Sequence, residues 1–263
     1  FAGTVETKRF RPSMIETTSK GSAGVDISNF PDDVKARIRR HYSALVGLID
    51  QQVGTILSAL EERQNGRETL IVFASDHGDF LGDFDFLGKV LFFESAMRVP
   101  MIVAGAGTPV GRSKAVTSLT DVFATFTATA GLRPPCQDSH ILPGIGFDVS
   151  PRANVMGATD KGYMITDGQW KLSRYRNGVS TLYDVVADPE EQVNRWVDLT
   201  QQARRDALDS QLQDWIITSV MAGHSDKAYP YMTMTPHHPG HRRGWQRSYP
   251  ANPWKSDLER GLT

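Results

Sequence analysis

Three side chains within residues 70–98, LIVFASDHGDFLGDFDFLGKVLFFESAMR, are placed to do chemistry together: Asp76, His77 and Lys89. A carboxylate next to an imidazole makes half a site for a divalent metal. Hard cations take oxygen ligands, and manganese or zinc accepts nitrogen as well. Two ligands are too few, so the others must come from elsewhere. A lysine aimed at the same point would neutralise an anionic substrate oxygen as a point charge. Metal and lysine around one spot point to transfer of a charged tetrahedral group. Gly78 lets the backbone turn with no Cβ in the way. A plainer reading stands beside this one. Asp-His-Gly after a strand is a common loop, and an isolated lysine is usually a surface residue. Asp79, Asp83 and Asp85 read as solvated or turn-forming acids, and their spacing does not fit an EF-hand calcium loop.

The elements that must position these residues can be read from the flanks. Residues 70–74 are an apolar, β-branched run without alternation, which fits a strand buried on both faces of a parallel sheet. Polar residues leaving the C-terminal end of such a strand lie where open α/β sheets hold ligands. Before it, Pro31, Asp32 and Asp33 suit the first turn of a helix. Val34, Ile38, Leu45, Leu48, Ile49, Val53, Ile56, Leu57 and Leu60 then recur at helical spacing, up to about Glu62. Asn65-Gly66 is read as its end, and a helix-to-parallel-strand step follows.

After the loop, residues 100–105 read as a second buried strand. Residues 118–131 read as a helix with Leu119, Val122, Phe123 and Phe126 on one face and Gly131 as its stop. Four short runs, 154–159, 163–166, 170–175 and 180–185, are separated by Asp-Gly and Asn-Gly turn signals, so an antiparallel meander is expected. Asp188-Pro189 begins a short helical turn. Residues 199–220 read as an amphipathic helix with Leu208, Leu212, Trp215, Ile216 and Val220 inward. From His224 onward no period is visible, and an extended tail is expected. Its aromatics (Tyr229, Tyr231, Trp245, Tyr249, Trp254) among prolines suit an arm on a partner surface, and so a homo-oligomer. His237, His238 and His241 read as exposed polar residues of that tail. The expected organisation is 1–150, 151–222 and 223–263.

The 263 residues are 40% hydrophobic and 22% charged with a formal net charge of −1, so no overall field drives binding to nucleic acid or a membrane. No apolar run approaches the ~20 residues of a spanning helix. Cys136 is the one cysteine, which excludes an internal disulfide. A cytoplasmic or periplasmic location fits. The chain begins at Phe1 without Met, and a preceding segment is expected.

Ser75-Asp76-His77-Gly78, then Leu81-Gly82-Asp83, then Gly88-Lys89, resembles the C-terminal motif of the sulfatase family, within the alkaline phosphatase superfamily. Phe93-Glu94-Ser95 with Arg98-Val99-Pro100, Asp121 with Ala124-Thr125, the stretch 168–172, Leu182-Tyr183-Asp184, Asp188-Pro189 and 191–194 continue the match, over roughly residues 31–222. The resemblance implies an α/β fold: the C-terminal part of a mixed sheet sandwiched by helices, plus a small four-stranded antiparallel subdomain with a helix. It implies hydrolysis of small-molecule sulfate esters with a divalent cation, usually Ca2+. Asp76 and His77 would be metal ligands, and Lys89 would bind a sulfate oxygen as the catalytic residue. The family's nucleophile is a formylglycine made in a Cys- or Ser-x-Pro-x-Arg motif.

That motif does not occur in this chain, since Cys136 is followed by Gln137-Asp138-Ser139-His140. The family's paired Asp ligands are missing as well. The implied partner is therefore an N-terminal half carrying the nucleophile, without which this chain is not expected to act. Where many relatives have His, this chain has Phe84. Many members have Asn at the position of His77; the Asp-His form occurs in arylsulfatase- or choline-sulfatase-like members, and also in phosphonate monoester and phosphodiester hydrolases, which often use Mn2+. A non-catalytic, sulfatase-like binding protein is the third reading.

Overall fold

The structure, a computed structural model, describes residues 24–63, 68–105, 107–132, 138–145 and 152–233, with the backbone alone for 222–233. The chain divides into two units, 1–209 and 210–263. Cys136, Asn65-Gly66 and the arm over 234–263 lie outside the described residues.

Strand β1 (Val25–Asp26) is followed by helix α1 (Asp32–Glu61), whose first turn carries Asp32 and Asp33. Next come β2 (Leu70–Ala74), β3 (Phe86–Leu87), the short α2 (Glu94–Met97), β4 (Met101–Gly105) and α3 (Asp121–Thr129). Strands β5 (Val155–Thr159), β6 (Gly162–Thr166), β7 (Trp170–Tyr175) and β8 (Ser180–Asp184) form the expected antiparallel meander, in the order β5-β6-β7-β8. The α/β class and the separate four-stranded sheet with its neighbouring helix are both present.

Several expectations need correction. β2 pairs antiparallel with β4, with Leu70 opposite Gly105 and Ala74 opposite Met101. An unalternating apolar run cannot say which way its neighbour runs. Nor are both faces covered among the described residues: Phe73 of β2 and Ile102 of β4 are exposed. α1 is a helix of the expected length, yet none of its residues is buried, and Leu45, Leu48, Ile49, Ile56 and Leu57 are exposed. It is also long and apolar enough, by length and composition, to cross a membrane. However, Asp50, Gln51 and Gln52 interrupt the middle of its apolar stretch. In α3 the inward face is not the bulky one. Asp121, Ala124 and Thr125 are buried, while Phe123 and Phe126 are exposed. Hydrogen bonds explain the choice. Ala124 N–H donates to Ser139 Oγ at 2.9 Å, and Leu142 N–H donates to Thr125 Oγ1 at 2.9 Å.

The stretch after Asp188 is a turn, closed by Glu191 N–H to Asp188 carbonyl at 3.0 Å, and is not helical. A 3-10 turn (Leu199–Gln201), capped by the Asp198 side chain, leads into α4 (Gln202–Thr233). α4 therefore runs through residues expected to be an extended tail. The loss of hydrophobic period after Val220 does not end the helix, and a helix interior tolerates a glycine such as Gly223 at about 1 kcal/mol. Leu208 and Leu212 are buried as expected, whereas Val220 is exposed.

The core of the first unit lies between the post-β2 loop and the meander. Phe80, Phe84, Phe86, Leu91, Phe92 and Phe93 pack with Met164, Tyr175 and Tyr183. Phe84 and Phe93 ring centroids are 4.6 Å apart, Phe92 meets Tyr175 at 5.5 Å and Phe93 meets Tyr183 at 6.0 Å. Each buried aromatic removes a large apolar area from water, so this cluster is the main cohesive element between loop and sheet.

Candidate functional site

β2 ends at Ala74, and the next residues fold back on themselves. Ser75 Oγ donates to the His77 carbonyl at 2.8 Å. His77 N–H donates to Asp76 Oδ1 at 2.9 Å, and Asp76 Oδ2 lies 3.2 Å from His77 Nε2. His77 Nδ1 is 2.8 Å from the Gly78 carbonyl. A carbonyl only accepts, so Nδ1 carries the hydrogen and Nε2 presents its lone pair. That lone pair faces Lys89 Nζ, in direct contact. The structure thus brings His77 together with both Asp76 and Lys89, twelve positions away. The Asp76 side chain is exposed.

The loop that returns Lys89 is built by its acids and glycines. Asp79 Oδ1 accepts Leu81 N–H at 2.8 Å and Gly88 N–H at 3.1 Å, closing the loop at both ends. Asp85 pairs with Lys35 of α1 at 2.7 Å, and Asp83 accepts a hydrogen bond from Ser95 Oγ. Asp79 forms the turn as expected, whereas Asp83 and Asp85 tie the loop to α2 and α1. Phe84 is buried in the aromatic core at 1% exposure, so the side chain at this position does not face the site. Phe84, Asp85 and Val90 adopt positive φ of 56°, 60° and 110°. Positive φ is an outlier for a β-branched residue, and Val90 directly follows Lys89. Gly78 is required by close approach: a Cβ there would lie 2.0 Å from the Ser95 carbonyl oxygen. Gly78 N–H donates to the Ala96 carbonyl at 2.8 Å.

Asp76 Oδ2 and His77 Nε2 offer one hard and one borderline donor on the same side, which fits part of a divalent cation's coordination shell. Among the described residues no group of three or more His, Cys, Asp or Glu converges. Asp76 and His77 are two such side chains that do meet. A cleft of about 490 Å³ elsewhere is lined by Trp170, Asp184, Asp188, Arg195 and Asp198, and includes none of the three. Its acids cap turns. Asp184 accepts from Val186 and Ala187 N–H, and these bonds outweigh its slight burial to hold its carboxyl below the ordinary range.

Sequence reasoning assigned no chemistry to Lys171 or Glu191, and quoted Glu94 and its neighbours only as a family match. Lys171 is 1% exposed on β7 and donates to Glu94 Oε1 at 2.7 Å; its Nζ is also 2.7 Å from Glu191 Oε1. Glu191 Oε2 accepts Glu94 N–H at 2.7 Å. Burial pushes the Glu191 carboxyl above the ordinary range, against the pull of Lys171 and of the Glu94 N–H. The available signal was a lysine amid strand residues, Trp170-Lys171-Leu172.

A model of the sulfatase family, described as Sulfatase, matches residues 4–132. Choline-sulfatase of Rhizobium meliloti (strain 1021) is 32% identical over 181 residues, covering 64% of this chain and 35% of that protein. Arylsulfatase K of Gallus gallus is 32% identical over 182 residues, covering 60% and 33%. The chain spans about a third of the length of these curated relatives. Among solved structures, phosphonate monoester hydrolase of Agrobacterium radiobacter superposes with a TM-score of 0.58 at 26% identity, covering 68% of this chain and 41% of that one. The β5–β8 sheet and these likenesses agree: the chain carries a sulfatase-like fold.

Proposed function

We propose that the chain supplies one side of the active site of a metal-dependent sulfuric ester hydrolase. Asp76 and His77 are ligands of a divalent cation, Ca2+ by family resemblance, and Lys89 contacts a sulfate oxygen. The observation that carries this reading is the convergence of the Asp76, His77 and Lys89 side chains on one spot at the end of β2. A bound cation would act as a Lewis acid on the ester's anionic oxygens. The residues of this chain do the rest of their side's work. The Nδ1–H bond to the Gly78 carbonyl fixes the His77 tautomer that can ligate. The Lys89 ammonium offsets negative charge as the ester S–O bond breaks and the alcohol departs. Its placement on a strained, tightly bonded loop means little reorganisation is needed at that moment.

The remaining ligands and a formylglycine nucleophile come, in this proposal, from residues outside these 263. The exposed apolar face of α1 is a surface on which such a partner layer could pack. A phosphonate monoester hydrolase is the second reading, supported by the likeness to the Agrobacterium enzyme.

The test compares turnover of an aryl sulfate and an aryl phosphonate monoester by the intact protein, with chelator and with Ca2+ or Mn2+ restored. Sulfate turnover should exceed phosphonate turnover and return with Ca2+. Lys89→Met should lower kcat by about 10²–10³, the usual range for one lost charge-stabilising donor. Unaltered turnover and metal content in Asp76→Asn would overturn the assignment.

A further inference from the structure

Segment 92–96 touches the candidate site on one side and the antiparallel sheet on the other. Toward the site, the Ala96 carbonyl accepts Gly78 N–H, the Ser95 carbonyl occupies the space a Gly78 Cβ would need, and Ser95 Oγ holds Asp83. Toward the sheet, Phe92 N–H donates to Tyr175 Oη at 3.2 Å, Glu94 N–H donates to Glu191, and the Glu94 carboxylate takes Lys171. The path from Lys171 through Glu94, Ser95 and Ala96 to Gly78 and His77 consists of peptide bonds and short hydrogen bonds throughout.

The charged cluster is a costly way to join two packed layers. Glu191 is 0% exposed and Lys171 1%, and apolar side chains of similar volume commonly hold such a place with equal or greater stability. Glu191 is also a non-glycine residue at φ 55°, a conformation that persists only where its surroundings impose it. What the charges add is direction. Two carboxylates and one ammonium within 2.7 Å contacts fix where Glu94 stands in a way apolar packing does not.

We propose that Lys171, Glu94 and Glu191 are positioning residues for the Asp76–His77–Lys89 site, holding segment 92–96 so that Gly78 and His77 present the ligating geometry. The inference rests on the metal-site reading above. It gives the β5–β8 sheet a task in that site, although none of its residues reaches the reacting atoms.

The experiment uses the intact protein and titrates Ca2+ and Mn2+ by calorimetry, alongside kcat and KM on an aryl sulfate. The variants are Lys171→Met, Lys171→Arg, Glu94→Gln and the ligand control Asp76→Asn. Each is measured where denaturation curves show it to be folded. Lys171→Met is expected to weaken metal binding about tenfold, the scale of lost outer-shell support for a ligand. It should lower kcat with little change in KM, and Lys171→Arg should restore most of both. If Lys171→Met does not fold, Glu94→Gln takes its place, since it keeps the Lys171–Glu191 pair. Metal affinity within twofold of wild type in the folded variant, with Asp76→Asn having lost binding, overturns the positioning role alone. Unchanged binding in Asp76→Asn overturns the site reading, and this inference with it.

Discussion

Gly78→Ala tests how tightly the candidate site is fastened to α2. The added Cβ would sit 2.0 Å from the Ser95 carbonyl oxygen and 3.3 Å from the Ala96 Cα, all rigid backbone. An ordinary C···O approach is about 3.3 Å, so the two segments must part by about 1 Å. That displacement breaks the 2.8 Å bond from Gly78 N–H to the Ala96 carbonyl. Overpacking of this kind costs about 1–3 kcal/mol, and the lost hydrogen bond about 1 kcal/mol. Against these stands a gain of about 0.4–1 kcal/mol from a stiffer unfolded chain. The net expectation is about 2 kcal/mol of destabilisation. With a urea m-value of about 2–3 kcal/mol/M, the unfolding midpoint falls by about 0.7–1 M. Gly47→Ala and Gly54→Ala make the same change inside α1, where nothing lies within 4 Å of the new Cβ. Each should be neutral or stabilising by up to about 1 kcal/mol. The reasoning fails if Gly78→Ala unfolds at or above the wild-type midpoint while the α1 variants behave as stated.

Other outcomes follow from the same contacts. Phe84→Ala, which empties the centre of the Phe80–Phe84–Phe93 cluster, should cost about 3–5 kcal/mol by denaturant titration. Arg152→Met leaves the buried Asp121 carboxylate without its cation and should cost about 3–5 kcal/mol. Adding Asp121→Asn should recover part of that loss, so a double-mutant cycle reads the coupling. Glu191 gives a pH dependence. Its folded carboxyl is raised by burial above the unfolded value of about 4.3, so the folded state binds the proton more tightly. Its contribution to stability is therefore greatest below that value and falls as pH climbs from there to the folded value. Glu191→Gln should flatten that part of the stability-versus-pH curve, and an unchanged slope would contradict the assignment.

The elements and the site were legible in the sequence to different degrees, for physical reasons. The meander was readable because Asp-Gly and Asn-Gly turns and short β-rich runs are local signals. Those four strands came within a residue of their observed limits. The existence of α1 was readable from its period, but its surroundings were not. Periodicity marks a face that wants cover and says nothing of what covers it. The direction of β2 was misread for a similar reason: an unalternating strand reports burial preference and leaves pairing to its neighbours. In α3 the bulky face drew attention, while hydrogen bonds to Ser139 and Leu142 decided which face turned inward.

The site divides along the same line. Asp76, His77 and Lys89 could be singled out because their types and spacing carry chemical meaning. The meeting of His77 and Lys89 depends on a loop closed by Asp79 and anchored by phenylalanines that looked merely apolar. Lys171 and Glu191 were harder still, since their sequence separation from Asp76 conceals a path that exists only once β7 and α2 are packed together. A residue acting through another leaves no spacing pattern near the residue it serves. What it leaves is a charge buried where an apolar side chain would do, and Lys171 is such a charge. Under the positioning proposal the β5–β8 sheet takes part in the site through one buried charge, Lys171 on β7, which holds Glu94 and through it the segment against Gly78.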